Sequence, residues 1–321
     1  MSIWQTKSWQ EMLKKSEQVS EFFEVNNIFL EKRKVALGEY WLFILWLEKE
    51  LSEKDASELI EICKKENCLF LQIETLNYTS PQPSPSEERE QEQKKVASFS
   101  PKGEGIQGWG WYFKKWYYKK FITPYTSVIN TQESEDEILA KMKPKGRYNI
   151  KVAVKKWIEV NEVEKNDKNI KEYYDLMLET TSRDSFSWNN MDYYKTFLNS
   201  LKQSKLLLAY KDEKVIAGWI FTFEDNVSIY YYWASTSDKE YRNLMAPYML
   251  QWEAIKIAKK TSSKLFDFLW VAWENEKNSP LSWVTDFKLK LSKDVRNVSD
   301  SYIWINKWFK YFIINILRKL K

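Results

Sequence analysis

The sequence predicts a mixed α/β chain, of α+β character, folded as two tandem subdomains. Three observations carry this. Strand-length apolar runs and amphipathic helical patterns follow one another in a similar order in both halves. The composition, 44% apolar and 30% charged over 321 residues, is that of a globular protein with length enough for two cores. The first half is broken at residues 79–108 by a low-complexity stretch rich in Pro, Ser, Glu, Gln and Lys, which reads as a disordered insertion.

Taken in order, the first half reads as a helix Trp4–Ser20, strands within Phe22–Lys34 and Tyr40–Ile44, a helix Glu53–Glu66 and a buried strand Cys68–Glu74. After the insertion, WYFKKWYYKKF alternates aromatic and basic residues and is expected to form a half-buried strand rather than a base-stacking platform. A strand Tyr125–Asn130 follows, then SEDEILAKMKPKGRYNIKVAVKKW, which starts acidic and ends densely basic. Its one-signed run, Lys141 to Lys156, is read either as a solvated helix face or as a phosphate contact.

The second half repeats the theme. It reads as strand Ile158–Val163, helices Lys168–Thr180 and Asp192–Gln203, and strands Leu206–Tyr210, Lys214–Glu224 and Ser228–Trp233. Helix Ala246–Lys260, strand Lys264–Trp270 and a further strand Val284–Leu291 complete it. Helix, antiparallel strands, helix, strand is the order of a GCN5-related acyltransferase, and both halves approximate it. The expected division is 1–143 for the first subdomain and 144–302 for the second. Residues 303–321 form a basic amphipathic helix that packs on the first subdomain or, alternatively, touches a membrane surface. After Lys264–Trp270 comes a loop that leads to the triplet Asp286-Phe287-Lys288, and loops after strands are where α/β proteins put chemistry.

Composition removes several classes of chemistry. With no histidine, Ser/His/Asp and Cys/His nucleophilic designs and His-ligated metal sites are excluded. Cys63 and Cys68 cannot complete a zinc site and are expected to be buried thiols. The net charge of +5 and pI near 8.7 permit a polyanionic partner without demanding one. The longest apolar runs, Trp41–Leu47 and Tyr311–Leu317, are far short of a membrane span, so the expected location is the cytoplasm.

Seven glycines against seventeen tryptophans is an anomaly. Four of the glycines (Gly103, Gly105, Gly108 and Gly110) cluster at the end of the low-complexity stretch, leaving Gly38, Gly146 and Gly218 for the rest of the chain. Trp157, Trp233, Trp270, Trp273 and Trp283 occupy settings where glycine would be natural. The expectation is that several stand for UGA codons read as glycine; the alternative is a genuinely Trp-rich chain.

The motifs ITPYTSVINTQESEDEILAKMKPKGRYNIKVA (122–153), TTSRDSF (180–186), YYYWASTS (230–237), MAPYMLQWEAIKIAKK (245–260), FDFLWVA (266–272) and WVTDFKLK (283–290) resemble, in this order, those of the Fem-type (FemABX) aminoacyltransferases that build the interpeptide bridge of peptidoglycan. The chain is similar to the short, FemX-like members, having no counterpart of the long coiled-coil arm. Where that family shows glycine, this chain has Trp233, Trp270 and Trp283.

The resemblance implies a reaction in which an amine of the stem peptide, on lipid II or UDP-MurNAc-pentapeptide, attacks the ester carbonyl of an aminoacyl-tRNA. It needs no cofactor beyond that co-substrate, and no metal or covalent nucleophile. Phe287 and Lys288 match the family's Phe-Lys pair, with Lys288 expected to stabilise the oxyanion or the departing tRNA 3′ end. Glu74 and Tyr193 match residues of the muropeptide cleft. An arginine of some members appears here as Asn189, so Arg183 and the Lys145/Arg147 pair are the expected diphosphate contacts, with Arg242 among the substrate-binding residues. Each has a structural rival: a strand lysine at 288, an ion pair at Arg183 and a strand-end role at Glu74.

Three other functions stay open. The turn RNLMA (242–246), where a coenzyme A-dependent acetyltransferase would place a glycine-rich pyrophosphate loop, has no glycine and disfavours that ligand. A non-catalytic RNA- or membrane-binding role, and transfer to another acceptor such as a lipid or a protein N-terminus, are the remaining alternatives.

Overall fold

The structure is a computed structural model and describes residues 2–78, 113–119, 123, 125–184, 187–272 and 281–319. The low-complexity insertion and Trp273 lie outside the described residues. The chain divides into two compact units, 1–124 with 297–321, and 125–296. The sequence boundaries stood at 143/144 and 302/303. The difference arises because Tyr125–Asn130 and the two helices after it belong to the second sheet's unit, while Ser301–Ile305 returns to the first sheet.

The first unit opens with a 3-10 turn Ile3–Gln5 and α1 (Lys7–Lys15), shorter than the helix predicted to Ser20. β1 (Glu21–Val25) and β2 (Ile28–Lys34) form a hairpin whose two-residue turn, Asn26-Asn27, takes the left-handed backbone such turns require. β3 (Tyr40–Leu47) follows, then α2 (Glu53–Lys65) and β4 (Phe70–Thr75), parallel to β3. α2 starts with a capping box between Ser52 and Asp55 and buries Ala56, Leu59, Ile60 and Cys63, the spacing of one helix face. Cys63 and Cys68 are buried and free, and burial raises both thiol pKa values, Cys68 to about 11, so neither is a nucleophile. Only Lys114–Lys115 (β5) of the basic aromatic segment is strand; Trp111, Tyr112, Lys120 and Phe121 lie outside the described residues.

The second unit runs β6 (Tyr125–Asn130), α3 (Glu135–Lys141), α4 (Pro144–Lys155), β7 (Glu159–Val163), α5 (Asp167–Asp184) and α6 (Met191–Ser200). β8 (Ser204–Lys211), β9 (Lys214–Thr222) and β10 (Val227–Ser235) form an antiparallel meander. α7 (Lys239–Arg242) and α8 (Ala246–Lys260) lead to β11 (Leu265–Asp267), parallel to β10. The next element corrects the sequence reading: Ser282–Leu291 is a helix, α9, not a strand. Its apolar and polar residues fit either period over so short a run, and tertiary contact decides. β12 (Val295–Asn297), β13 (Ser301–Ile305) and α10 (Trp308–Lys319) complete the chain. Among the described residues no helix exceeds the 18 residues of α5, so the arm expected to be missing has no counterpart there.

The sheets are ordered β1-β2-β3-β4-β13-β5 and β12-β6-β11-β10-β9-β8-β7. Each contains the same unit, a meander strand, a helical crossover and a parallel strand, with a bulge in the meander strand: Ile44/Leu47 in β3 and Tyr230/Tyr232 in β10. This is the expected pair of GCN5-related acyltransferase-like subdomains. α10 packs within the first unit, Tyr311 lying edge-on to Phe70 at 5.3 Å.

Backbone conformation separates the five tryptophans read as glycine. Trp157 (φ 55°) and Trp270 (φ 36°) adopt the left-handed region. Trp157 closes α4 in a Schellman motif, with Ile158 N–H on the Ala153 carbonyl and its own N–H on that of Val154, where glycine is usual. Asn67 does the same after α2 at far less strain. Trp233 lies inside β10 and Trp283 in the first turn of α9, so neither has the turn setting expected of it. Trp46, not singled out by sequence, also has positive φ, 50°, in the β3 bulge.

One true glycine is fixed by contact: a Cβ on Gly146 would stand 2.2 Å from the carbonyl oxygen of Lys290, which brings the start of α4 against the end of α9. Gly146→Ala is therefore expected to destabilise the second unit by about 1–3 kcal/mol, read as a lower denaturant midpoint. Trp157 is 80% exposed and loses little packing on truncation. Trp157→Gly should raise the melting temperature by roughly 2 °C or more, for about 1 kcal/mol gained at a left-handed position.

Candidate functional site

The parallel strands β10 and β11 pair over three positions, Val227/Leu265, Ser228/Phe266 and Ile229/Asp267, and then part. β10 runs on to Ser235 beside β9, and its bulge turns Tyr230 and Trp233 toward the opening. β11 leaves through Leu269 (φ 50°) and Trp270 (φ 36°), consecutive left-handed residues. Buried Asp267 fixes this exit by accepting hydrogen bonds from Leu269 N–H at 2.7 Å and from the Thr126 hydroxyl.

Into the gap reaches Lys288, from α9. Its Nζ donates to the Leu269 carbonyl at 2.6 Å and the Trp270 carbonyl at 3.1 Å, and stands 5.7 Å from the ring centre of Tyr230 and 5.9 Å from that of Trp233. The side chain is 1% exposed, so the rival reading of an exposed strand lysine is overturned. Burial lowers its pKa to about 7, against an opposing pull from the Asp267 carboxylate. The amine therefore works near its own titration point. As a cation it keeps one N–H beyond the two committed to carbonyls; as a neutral amine it offers a lone pair there.

α9 is held at several points. Ala272 N–H donates to Thr285 Oγ1 at 2.8 Å, one helical turn before Lys288. Phe287 packs edge-on against Trp219 at 5.8 Å and Tyr248 at 5.0 Å, a core role rather than a contact in the gap. The last turn is pinned to β6 by Ser292 Oγ on the Val128 carbonyl and Ser127 Oγ on that of Ser292, at 2.6 and 3.1 Å. Trp233, beside the ammonium, meets Trp283 edge-on at 6.2 Å.

The other predicted residues make contacts of their own, Glu74 in the first unit and the rest in the second. Glu74 is 1% exposed at the end of β4, accepting from Gln72 Nε2 at 3.2 Å. Tyr193, in the first turn of α6, shares a 2.8 Å hydrogen bond with the Tyr232 hydroxyl. Arg183 pairs with Asp184 and donates to the Ser235 and Thr236 carbonyls, the structural role set against it above. Arg147 donates to the Ala140 carbonyl at 3.2 Å and to that of Met142, capping α3, which occupies the guanidinium expected to hold phosphate. Lys145 is exposed over the Tyr148 ring and Arg242 is exposed at the end of α7. Sequence reasoning missed Asp267 and Thr285. The one acid inside the apolar FDFLWVA could have drawn attention to the first; the second needs the helix.

The turn after Arg242 passes through Met245 (φ 61°) into α8, whose N-terminus has no side-chain cap.

The fold has structural parallels. A crystal structure of FemX superposes with TM-score 0.77 over 98% of this chain and 94% of that one, at 15% identity. A conserved protein of unknown function from Bacteroides thetaiotaomicron gives 0.58 over 93% and 90%, at 9% identity. The C-terminal domain of a putative lysylphosphatidylglycerol synthetase from Agrobacterium fabrum gives 0.55 over 92% and 86%, also at 9%. At these identities the likeness is one of fold. No curated protein matches the sequence. The FemAB family model matches residues 46–212 and 201–319, most of the chain, and this protein belongs to the FemAB family.

Proposed function

We propose that the protein transfers an amino acid from aminoacyl-tRNA to an amine of the stem peptide of a peptidoglycan precursor. The observation that carries this is Lys288: an amine buried where β10 and β11 part, tuned to about 7, with two N–H groups fixed on carbonyls and its remaining valence unassigned. Family membership supports the reaction class.

In the proposed step the acceptor amine attacks the ester carbonyl. The tetrahedral intermediate collapses as the amide forms, and the tRNA 3′ oxygen leaves with the proton the amine gives up. Lys288 as a cation stabilises the oxyanion through its remaining N–H, and the fixed carbonyls hold it without reorganisation. Glu74 and Tyr193 are retained as acceptor contacts. Since Arg183 and Arg147 are engaged by their own chain, exposed Lys145 and Arg242 are the better phosphate contacts. The reaction requires no cofactor beyond the aminoacyl-tRNA.

The test is transfer of a radiolabelled amino acid from a mixed aminoacyl-tRNA pool to lipid II or UDP-MurNAc-pentapeptide. Lys288→Ala is expected to lower transfer about 100-fold or more while the variant stays folded by circular dichroism; equal rates would sink the assignment. Because Trp233 stands beside the ammonium and Trp283 packs on Trp233, Trp233→Gly with Trp283→Gly should open the approach to Lys288 and raise transfer, and the Lys288 comparison is repeated in that background.

A pH test is independent of substrate. Below about pH 7 both folded and unfolded chains hold the Lys288 proton, so the penalty for burying the charge is constant. Between about 7 and the unfolded lysine value near 10.5 the unfolded chain holds more protons, so this group makes stability rise with pH. Denaturant unfolding at about pH 6 and 9 should show the wild type gaining on Lys288→Met as pH rises. A difference independent of pH would mean the lysine titrates normally.

A further inference from the structure

Two segments nearly 200 residues apart in sequence, 111–121 and 301–321, hold nine Lys or Arg and no Asp or Glu. The fold of the first unit brings them together. β5 pairs with β13, Lys115 opposite Tyr302; Lys114 Nζ lies 4.9 Å from the ring centre of Trp308; and Arg318 sits over the Tyr118 ring at 4.5 Å. α10 turns Tyr311 and Ile314 inward and carries a second apolar stripe outward: Phe309 (77% exposed), Phe312 (63%) and Ile316 (43%), spaced as one helix face. Of the fourteen exposed large apolar side chains among the described residues, two lie on the first segment and five on α10. Half the exposed apolar bulk thus sits on two short segments with a cationic border.

We infer that this face docks on an anionic lipid bilayer, with the Phe309/Phe312/Ile316 stripe entering the headgroup boundary and exposed lysines beside it, Lys114 and Lys119 among them, meeting lipid phosphates. Lys307 and Lys310 share Glu39 and Lys115 pairs with Asp300, so the border keeps a cationic excess rather than a single sign, and an outward apolar stripe with such a border is what interfacial helices require. A second copy of the chain would bring like charges together. RNA would use flat aromatic faces and leave Ile316 and Leu317 without a role. The inference does not rest on the transfer reading, and its test uses neither donor nor acceptor.

The test is co-flotation of the full chain with vesicles of phosphatidylcholine, alone or mixed equally with phosphatidylglycerol. Binding is expected to the mixed vesicles, to fall with added salt, and to weaken about tenfold or more in Phe309→Ser/Phe312→Ser. Both side chains are exposed, so the variant's melting temperature should match the wild type's, and a second variant, Phe312→Glu, guards against a folding artefact. Equal binding by wild type and variant overturns the inference. So does binding of an RNA oligonucleotide but not vesicles, or a concentration-dependent dimer lost in the variant without vesicle binding.

A separate observation carries a second inference: we propose that glycine is the amino acid decoded at positions 46, 157 and 270. All three tryptophans take the left-handed backbone, and at Trp46 and Trp270 the buried indole N–H has no acceptor among the described residues. UGA codons at these positions, and glycine-mass peptides from the protein of its native cells, are the expected result. UGG codons or tryptophan-mass peptides overturn it.

Discussion

The second unit depends on one constraint, the early parting of two parallel strands. Pairing between β10 and β11 stops after Asp267, and the strand that leaves does so through two left-handed residues whose carbonyls converge. Carbonyls turned out of a ladder and away from water need a donor. A lysine ammonium supplies two N–H bonds to one place, and α9 delivers it. The gap, the strained exit and the buried amine are therefore one structure rather than three features.

Placement of that amine depends on contacts far from it. Gly146 has no room for a side chain because the Lys290 carbonyl occupies it, and the same carbonyl accepts the Lys143 N–H at 3.1 Å, so the start of α4 receives the end of α9. Thr285 and the Ser127/Ser292 pair fix the helix along its length, and Phe287 anchors it in the core. Burial then sets the chemistry: an ammonium with almost no access to water is disfavoured as a charge, and its pKa falls toward neutrality. The Asp267 carboxylate opposes part of that shift while holding the strand exit, so one acid serves geometry and electrostatics together.

The first unit repeats the bulged strand, crossover helix and parallel strand but gives them a different surface. Its sheet is completed from the far end of the chain by β13, and α10 then closes on Phe70 and Tyr118. That closure leaves an apolar helix face outward beside the basic aromatic strand, a juxtaposition no local pattern contains.

The sequence by itself determined most of the elements, because hydrophobic period and turn residues act locally: α8 runs Ala246–Lys260 as predicted, the Asn26-Asn27 turn suits a tight hairpin, and the apolar run at Phe70 is a buried strand. It also pointed to Lys288 and, through glycine scarcity, to Trp157 and Trp270. The structure alone decided the state of 282–291, where ten residues fit either period and packing against α4 and β6 selects the helix. It decided that Arg183 and Arg147 belong to the scaffold, since a guanidinium binds whichever carbonyls the fold brings near. It decided, too, that the basic aromatic segment and the tail form one surface. Charge and burial are properties of what surrounds a side chain, and in this chain those surroundings are assembled from residues well separated in sequence.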